Sequence, residues 1–350
     1  MRLFAVAAPG LESLVAGELG GTCVPGGAEW EADLAGLYRA NLWSRFATRI
    51  VVRLAQFRAR DFAGFAREVE ALDWAPYAGG AVRLDVTASS RKSRLYHTGA
   101  LEERVRTAVA RRLSVAEDAA VALGISVRGE RDLFTISVDS SGERLHRRGW
   151  REATARAPLR ETLAAGLLAL AGWDPATPLV DPLCGSGTIV LEGALSATNR
   201  APGANRRFAF QDWPGYRDEL FSELLAEARA GERPPPAVLL GSDRDAGAIE
   251  AARGNAARAG FADAVRFDCQ ELAQAALPAG APGLILTNLP YGRRIRADPS
   301  LPRALEHLAR SRPGWRLAML APASGRSHPT TSPTLDNGGI EVRLLVRGPW

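Results

Sequence analysis

From residue 157 onward, helical periodicity alternates with short unbroken apolar runs. APLRETLAAGLLALAG (157–172) predicts a helix, PLVD (178–181) a strand and GTIVLEGALSA (187–197) a helix. AVLLGSD (237–243) predicts the next strand, AGAIEAARGNAARAG (246–260) a helix ending on Gly260, and AVRF (264–267) and GLILTN (283–288) two more strands. Strands this apolar, without alternation, are those buried on both faces of a parallel sheet, so this half predicts a doubly wound α/β domain. The first 150 residues read differently. Strands over LFAVA (3–7), RIVVRLAQF (49–57), AVRLDVTA (81–88), ALGISVR (122–128) and DLFTISVD (132–139) are interspersed with helices near 10–19, 31–43, 61–71 and 99–113. That order suits an α+β region with helices on one face of a sheet. Between the halves, HRRGWREATARAP (146–158) is polar and arginine-rich and reads as a linker. NRAPGANRRFAFQDWPGY (199–216) and APASGRSHPTTSPTLDNGG (321–339) read as irregular.

Composition changes the picture only at the margins. The chain of 350 residues has a formal net charge of +5, in keeping with a polyanionic partner, and Lys92 is the only lysine among 44 basic residues. Arginine offers a planar fork for phosphates and base stacking, although abundant Ala, Gly and Arg also mark a GC-rich genome. Cys23, Cys184 and Cys269 are widely separated, which indicates neither a disulfide framework nor a metal site and fits a reducing, cytoplasmic setting. No apolar run approaches bilayer length, and Glu12 and Glu18 interrupt the N-terminus where a signal peptide would be uncharged.

The chemistry concentrates in VDPLCGSGTIVLEGAL (180–195). In a doubly wound sheet the ligand lies beyond the strands' carboxyl ends, where the first strand turns into its helix. Gly185 and Gly187 let the backbone pass close to a ligand. The third glycine of a dinucleotide fingerprint is absent, and Asp181 would repel a pyrophosphate. It suits a cationic ligand such as S-adenosylmethionine (SAM), cradled by Asp181, Pro182, Cys184, Gly185, Ser186, Gly187 and Thr188. Asp243 and Arg244, in LLGSDRD, follow the next strand, with Asp243 set for ribose hydroxyls. Asp268, after VRF, is set for an adenine amino group. Any one of these acids alone would serve as a helix cap. In TNLPYG, Asn288 offers a side-chain carbonyl, Leu289 a backbone carbonyl held extended by Pro290, and Tyr291 a ring to stack on a base. Two such acceptors can hold both hydrogens of an exocyclic amino group.

These blocks, with ANLWSRFATRI, DSSGERLHRRGWR and APGANRRFAF, resemble in order the bacterial THUMP-domain class I methyltransferases, near the N2-guanine rRNA group that includes the amino-terminal half of RlmL. The resemblance implies a Rossmann-like domain at 151–350 with a parallel-dominated seven-stranded sheet. A ferredoxin-like region at 1–55 and an RNA-binding THUMP domain at 56–150 precede it. It also implies SAM as donor, S-adenosylhomocysteine as product, RNA as partner and the Asn-x-Pro-Tyr turn as the amino-group site. Leu289 stands where the family most often has proline. Arg91, Lys92, Arg94, Arg111, Arg112, Arg147 and Arg148 are the candidate RNA contacts, with Tyr96 and His97 near them. Cys184 and Cys269 read as packing residues rather than nucleophiles, and no metal is required. The function expected is methyl transfer to guanine N2, in 23S rRNA. The alternatives are a tRNA guanine-N2 or adenine-N6 enzyme and a catalytically inactive RNA-binding assembly factor.

Overall fold

The computed structural model describes residues 1–151, 159–290, 298–323 and 332–350. The chain opens with β1 (Arg2–Ala7), α1 (Glu12–Leu19), β2 (Thr22–Val24), β3 (Gly27–Glu31), α2 (Leu34–Trp43) and β4 (Ala47–Arg58). It continues with α3 (Phe62–Glu70), β5 (Arg83–Arg91), α4 (Thr98–Ala110), β6 (Ala122–Glu130) and β7 (Leu133–Asp139). Aspartates start two of the helices: Asp33 accepts from the Gly36 N–H at 2.8 Å and Asp61 from the Gly64 N–H at 2.7 Å, satisfying backbone donors that have no intrahelical partner. All seven strands join one sheet in the order β2-β3-β1-β4-β7-β6-β5. The expected division at 55/56 falls inside β4, so both N-terminal regions share that sheet. Period-two alternation buries Leu84, Val86, Leu123, Ile125, Phe134 and Ile136 on the face that carries α3 and α4.

The second half comprises α5 (Glu161–Leu170), β8 (Leu179–Asp181), α6 (Thr188–Ala197), α7 (Asp218–Ala230), β9 (Leu239–Asp243), α8 (Ala246–Arg258), β10 (Arg266–Cys269) and β11 (Leu284–Asn288). It ends with α9 (Leu301–Arg310), β12 (Arg316–Pro322), β13 (Leu335–Asn337) and β14 (Ile340–Arg347). Its seven-stranded sheet runs β10-β9-β8-β11-β12-β14-β13, and β14 is antiparallel to both its neighbours. The order reverses between β8 and β11, which opens a crevice at their carboxyl ends.

Two compact units result: residues 1–6, 15–145 and 206–226 form one, and residues 7–14, 146–205 and 227–350 the other. The stretch expected to be irregular after α6 supplies the crossing. Tyr38 of α2 stacks on Phe210 (centroids 4.4 Å apart, 21° between planes), meets Phe221 edge-on and accepts the Arg217 N–H at 3.0 Å. Phe210 in turn donates its N–H to the Ser140 carbonyl at 3.1 Å, and Arg206 donates to the carbonyls of Ser141, Glu143 and Arg144. Leu11 goes the other way and packs in the core of the second unit.

Candidate active site

The turn from β8 into α6 is pinned from β9. Cys184 donates its N–H to the Ser242 carbonyl at 2.9 Å, and Gly185 donates to Asp243 Oδ2 at 3.0 Å. Gly187 takes φ +84°, and a Cβ there would stand 2.7 Å from the Phe267 ring, so only glycine lets the turn lie flat on β10. Gly185, at φ +52°, has no atom of the described residues within 4 Å of where its Cβ would be. Pro182, Ser186 and Thr188 are buried in the same turn, with Ser186 accepting from Asn255 Nδ2 at 3.1 Å.

Asp181 is 2% exposed, and its Oδ1 accepts the Leu183 N–H at 3.2 Å. Burial pushes its carboxyl up to about 7; the Thr287 hydroxyl beside it and the Leu183 N–H pull the other way, and the Asp243 carboxylate adds to the rise. The Thr287 hydroxyl is itself buried and completes no hydrogen bond of ordinary geometry. Asp243 uses Oδ2 for Gly185 and Oδ1 for the Asp245 N–H at 3.0 Å, which leaves each oxygen a second acceptor position. Burial, with the Asp181 and Asp243 carboxylates, raises the Cys184 thiol well above its usual range, so it is not a ready nucleophile.

At the end of β11, Asn288 Oδ1 is buried and has no hydrogen-bond partner among the described residues. Leu289 gives its N–H to the Leu320 carbonyl at 3.2 Å, and Pro290 follows half-buried. Tyr291 lies outside the described residues. The structure thus brings the 181–188 turn, Asp243, Thr287 and Asn288 to one crevice.

Other residues are placed elsewhere. Asp268 stands within β10 opposite Ser242, its carboxylate held by exposed Arg266 at 2.7 and 3.0 Å, rather than beyond the strand end. The acid beyond that end is Glu271: Gln270 donates its N–H to the Asp243 carbonyl at 3.0 Å and exposed Glu271 comes next. Its signal in the sequence is position, three residues after Asp268. Arg148 corrects the expectation of an RNA contact, because it is 3% exposed and paired with buried Glu192 at 3.2 Å. Cys269 corrects another: it is exposed, not core. Arg151, overlooked in the linker, ion-pairs with buried Glu161 at 3.3 Å and donates to the Thr188 hydroxyl at the start of α6. Burial lifts the Glu161 carboxyl to about 7 against the pull of Arg151. Arg244 is exposed at the edge of the crevice, its carbonyl 3.7 Å from Cys269 Sγ.

In the N-terminal unit, Arg91 is exposed at the end of β5 and Lys92 and Arg94 on the loop that follows, alongside Tyr96, which is 67% exposed and packs on His97. Arg111 and Arg112 sit past the other end of the 13-residue α4, about 20 Å away, with Arg111 paired to Glu70 at 2.9 Å. Arg147 is exposed. Among the described residues no cluster of three or more His, Cys, Asp or Glu side chains could hold a metal ion, and no helix is long and apolar enough to cross a membrane.

A seven-stranded sheet of this order with a glycine turn at its switch point is that of a class I, SAM-dependent methyltransferase. Residues 148–317 match the RMKL-like methyltransferase domain and residues 2–51 the RlmL ferredoxin-like domain, so the chain joins a ferredoxin-like domain of RlmL type to a methyltransferase domain of RMKL-like type. Among solved structures, a predicted N6-adenine-specific DNA methylase from Listeria monocytogenes is 29% identical over 98% of this chain and 95% of its own, with a TM-score of 0.86. A candidate methyltransferase in complex with S-adenosylhomocysteine is 28% identical over 99% and 97%, with a TM-score of 0.88. TrmN from Thermus thermophilus, 23% identical over 99% and 98%, shares the fold with a TM-score of 0.65.

Proposed function

We propose that this chain methylates an exocyclic amino group of a nucleobase in RNA, with guanine N2 in 23S rRNA as the target. The observation that carries the amino-group reading is Asn288 Oδ1, a buried acceptor with no donor among the described residues. A buried acceptor left unpaired costs about 1–3 kcal/mol, a penalty that an incoming N–H would relieve. With the Leu289 carbonyl as second acceptor, both amino hydrogens would be engaged and the nitrogen lone pair turned toward the cofactor. SAM supplies an electrophilic methyl group when bound. Gly185 would admit it close to the backbone, Asp243 would use its remaining acceptor positions on ribose hydroxyls, and Glu271 would face the adenine amino group. Asp181 would balance positive charge from beneath the turn. Aligning donor and acceptor is the main catalytic contribution this set of side chains can make. A base in a helix would have to swing out to reach Asn288.

RNA as the substrate rests on the RlmL ferredoxin-like match and on the exposed Arg91, Lys92, Arg94 and Tyr96 in the region read as a THUMP domain. Adenine N6 is the second reading, favoured by the description of the Listeria relative. The test is incubation with radiolabelled SAM and, separately, rRNA, tRNA and DNA, followed by nucleoside mass spectrometry. N2-methylguanosine from rRNA is the expected product. N6-methyladenine would move the assignment to the second reading, and label in DNA alone would overturn the RNA reading. Asn288→Ala should lower turnover at least a hundredfold with the affinity for S-adenosylhomocysteine unchanged. Retained turnover would remove Asn288 from the amino-group site.

A further inference from the structure

The face of the N-terminal sheet opposite α3 and α4 is built unlike an ordinary solvated face. Strand register lines up two rows of polar side chains across it. Arg53, Ser137, Ser126 and Thr87 stand opposite one another in turn on β4, β7, β6 and β5, and Gln56, Thr135, Arg128 and Ser89 form the next row. Neighbours in a row are about 4.8 Å apart, the strand spacing. All of these side chains except Gln56 line a groove of about 270 Å³ whose floor also includes Phe4, Val6 and Val51, and among the described residues no acidic one lines it. Ser137 and Thr135 are only 5% and 8% exposed, so the groove is recessed rather than flat.

Its fittings are graded. The Arg53 guanidinium lies 4.0 Å over the Phe4 ring and is oriented by Glu29 at 2.9 Å, with 12% of its side chain exposed. Arg128 is exposed, donates one bond to the Pro25 carbonyl at 3.1 Å and has four N–H donors beyond it. Thr135 accepts from Gln56 at 3.2 Å and Ser89 reaches the Val127 carbonyl at 3.5 Å. Arg91, two residues beyond Ser89 on β5, carries the same face toward the loop that holds Lys92, Arg94 and Tyr96.

We infer that this groove is a second RNA contact that takes one unpaired nucleotide, its base against the Arg53 guanidinium, its sugar and base edges on the hydroxyl rows, and its phosphate at Arg128. The inference rests on the reading of RNA as substrate. A duplex is too wide to enter a recess at the small end of ligand-pocket volumes, about 300 Å³, whereas unstacked bases are recognised by guanidinium planes and by hydroxyls that donate and accept. A peptide strand would add to a sheet edge, and this groove lies on a face.

Fluorescence anisotropy with a labelled mixed-sequence RNA oligonucleotide, single-stranded or annealed to its complement, tests this. The single strand should bind more tightly than the duplex. Arg128→Ala should weaken single-strand binding by about tenfold and lower the salt slope by about one, and Thr87→Asp should weaken it similarly through charge repulsion. Affinity for S-adenosylhomocysteine should not change, which reports that both variants are folded. Photocrosslinking of thiouridine-containing RNA should map to β5–β7. If Arg128→Ala and Thr87→Asp bind like the parent while Arg94→Ala does not, the groove is refuted and the RNA reading stands. If the parent binds neither RNA form, the RNA reading itself fails.

Discussion

Arg148 is a residue whose chemistry and burial point in opposite directions. An arginine two positions from a domain junction reads as a surface cation, yet its guanidinium is held beside Glu192 with both side chains out of water. Removing it would leave a buried carboxylate uncompensated, and Arg148→Ala should cost about 3–5 kcal/mol in urea unfolding without a direct loss of RNA contact. Local sequence could not reveal this, because the partner is 44 positions away. Asp181, Glu161 and Asp139 make a second residue-scale prediction. Burial raises their carboxyls to about 7, 7 and 6. In the unfolded chain these groups ionise near 4, so between about pH 4 and 7 the folded state holds more protons and stability falls as pH rises, levelling off above. Urea midpoints measured from pH 5 to 8 should show this fall, and Asp181→Asn should make it shallower. A cationic ligand beside Asp181 would draw its carboxyl down, so SAM affinity should weaken as pH drops from 8 to 6.

The turn between β8 and α6 shows what one element can be asked to do. Gly187→Ala forces a side chain onto the Phe267 ring in a left-handed backbone, with an expected loss of about 1–3 kcal/mol and a lower Tm. Gly185→Ala meets no atom of the described residues, so its Tm should change less, but its methyl would occupy the crevice and reduce SAM affinity in calorimetry. The two variants separate a packing glycine from an access glycine in a motif where both look alike. At this scale much was readable: unbroken apolar runs marked β8, β9 and β11, and the turn announced the crevice. The hairpin of β13 and β14 and the acid past β10 were not, since a three-residue strand carries too little pattern and Asp268 differs from Glu271 only by which side of the strand end it occupies. Five of the seven N-terminal strands were readable as strands, while the short β2 and β3 were not, and their union into one sheet depends on pairings such as Val51 with Asp139, far apart in the chain.

Neither unit is a single continuous stretch of chain. Residues 206–226 leave the methyltransferase half, build the aromatic cluster around Tyr38, and return. A composition shift near 146–158 marked the crossing at 145/146, and nothing local marked the one at 205/206, because FAFQDWPGY is aromatic without being periodic. Chains 1–145 and 146–350 made separately are each incomplete: the first would expose Tyr38, and the second would carry Phe208, Phe210 and Phe221 with nothing to cover them. Co-expressed, the two fragments should therefore reassemble and copurify through an affinity tag on either one, and Tyr38→Ala should loosen that recovery. A gene fragment encoding only the C-terminal half would not transplant as a working cassette. Inheritance of the catalytic half thus requires its companion, and the pair should be gained or lost together.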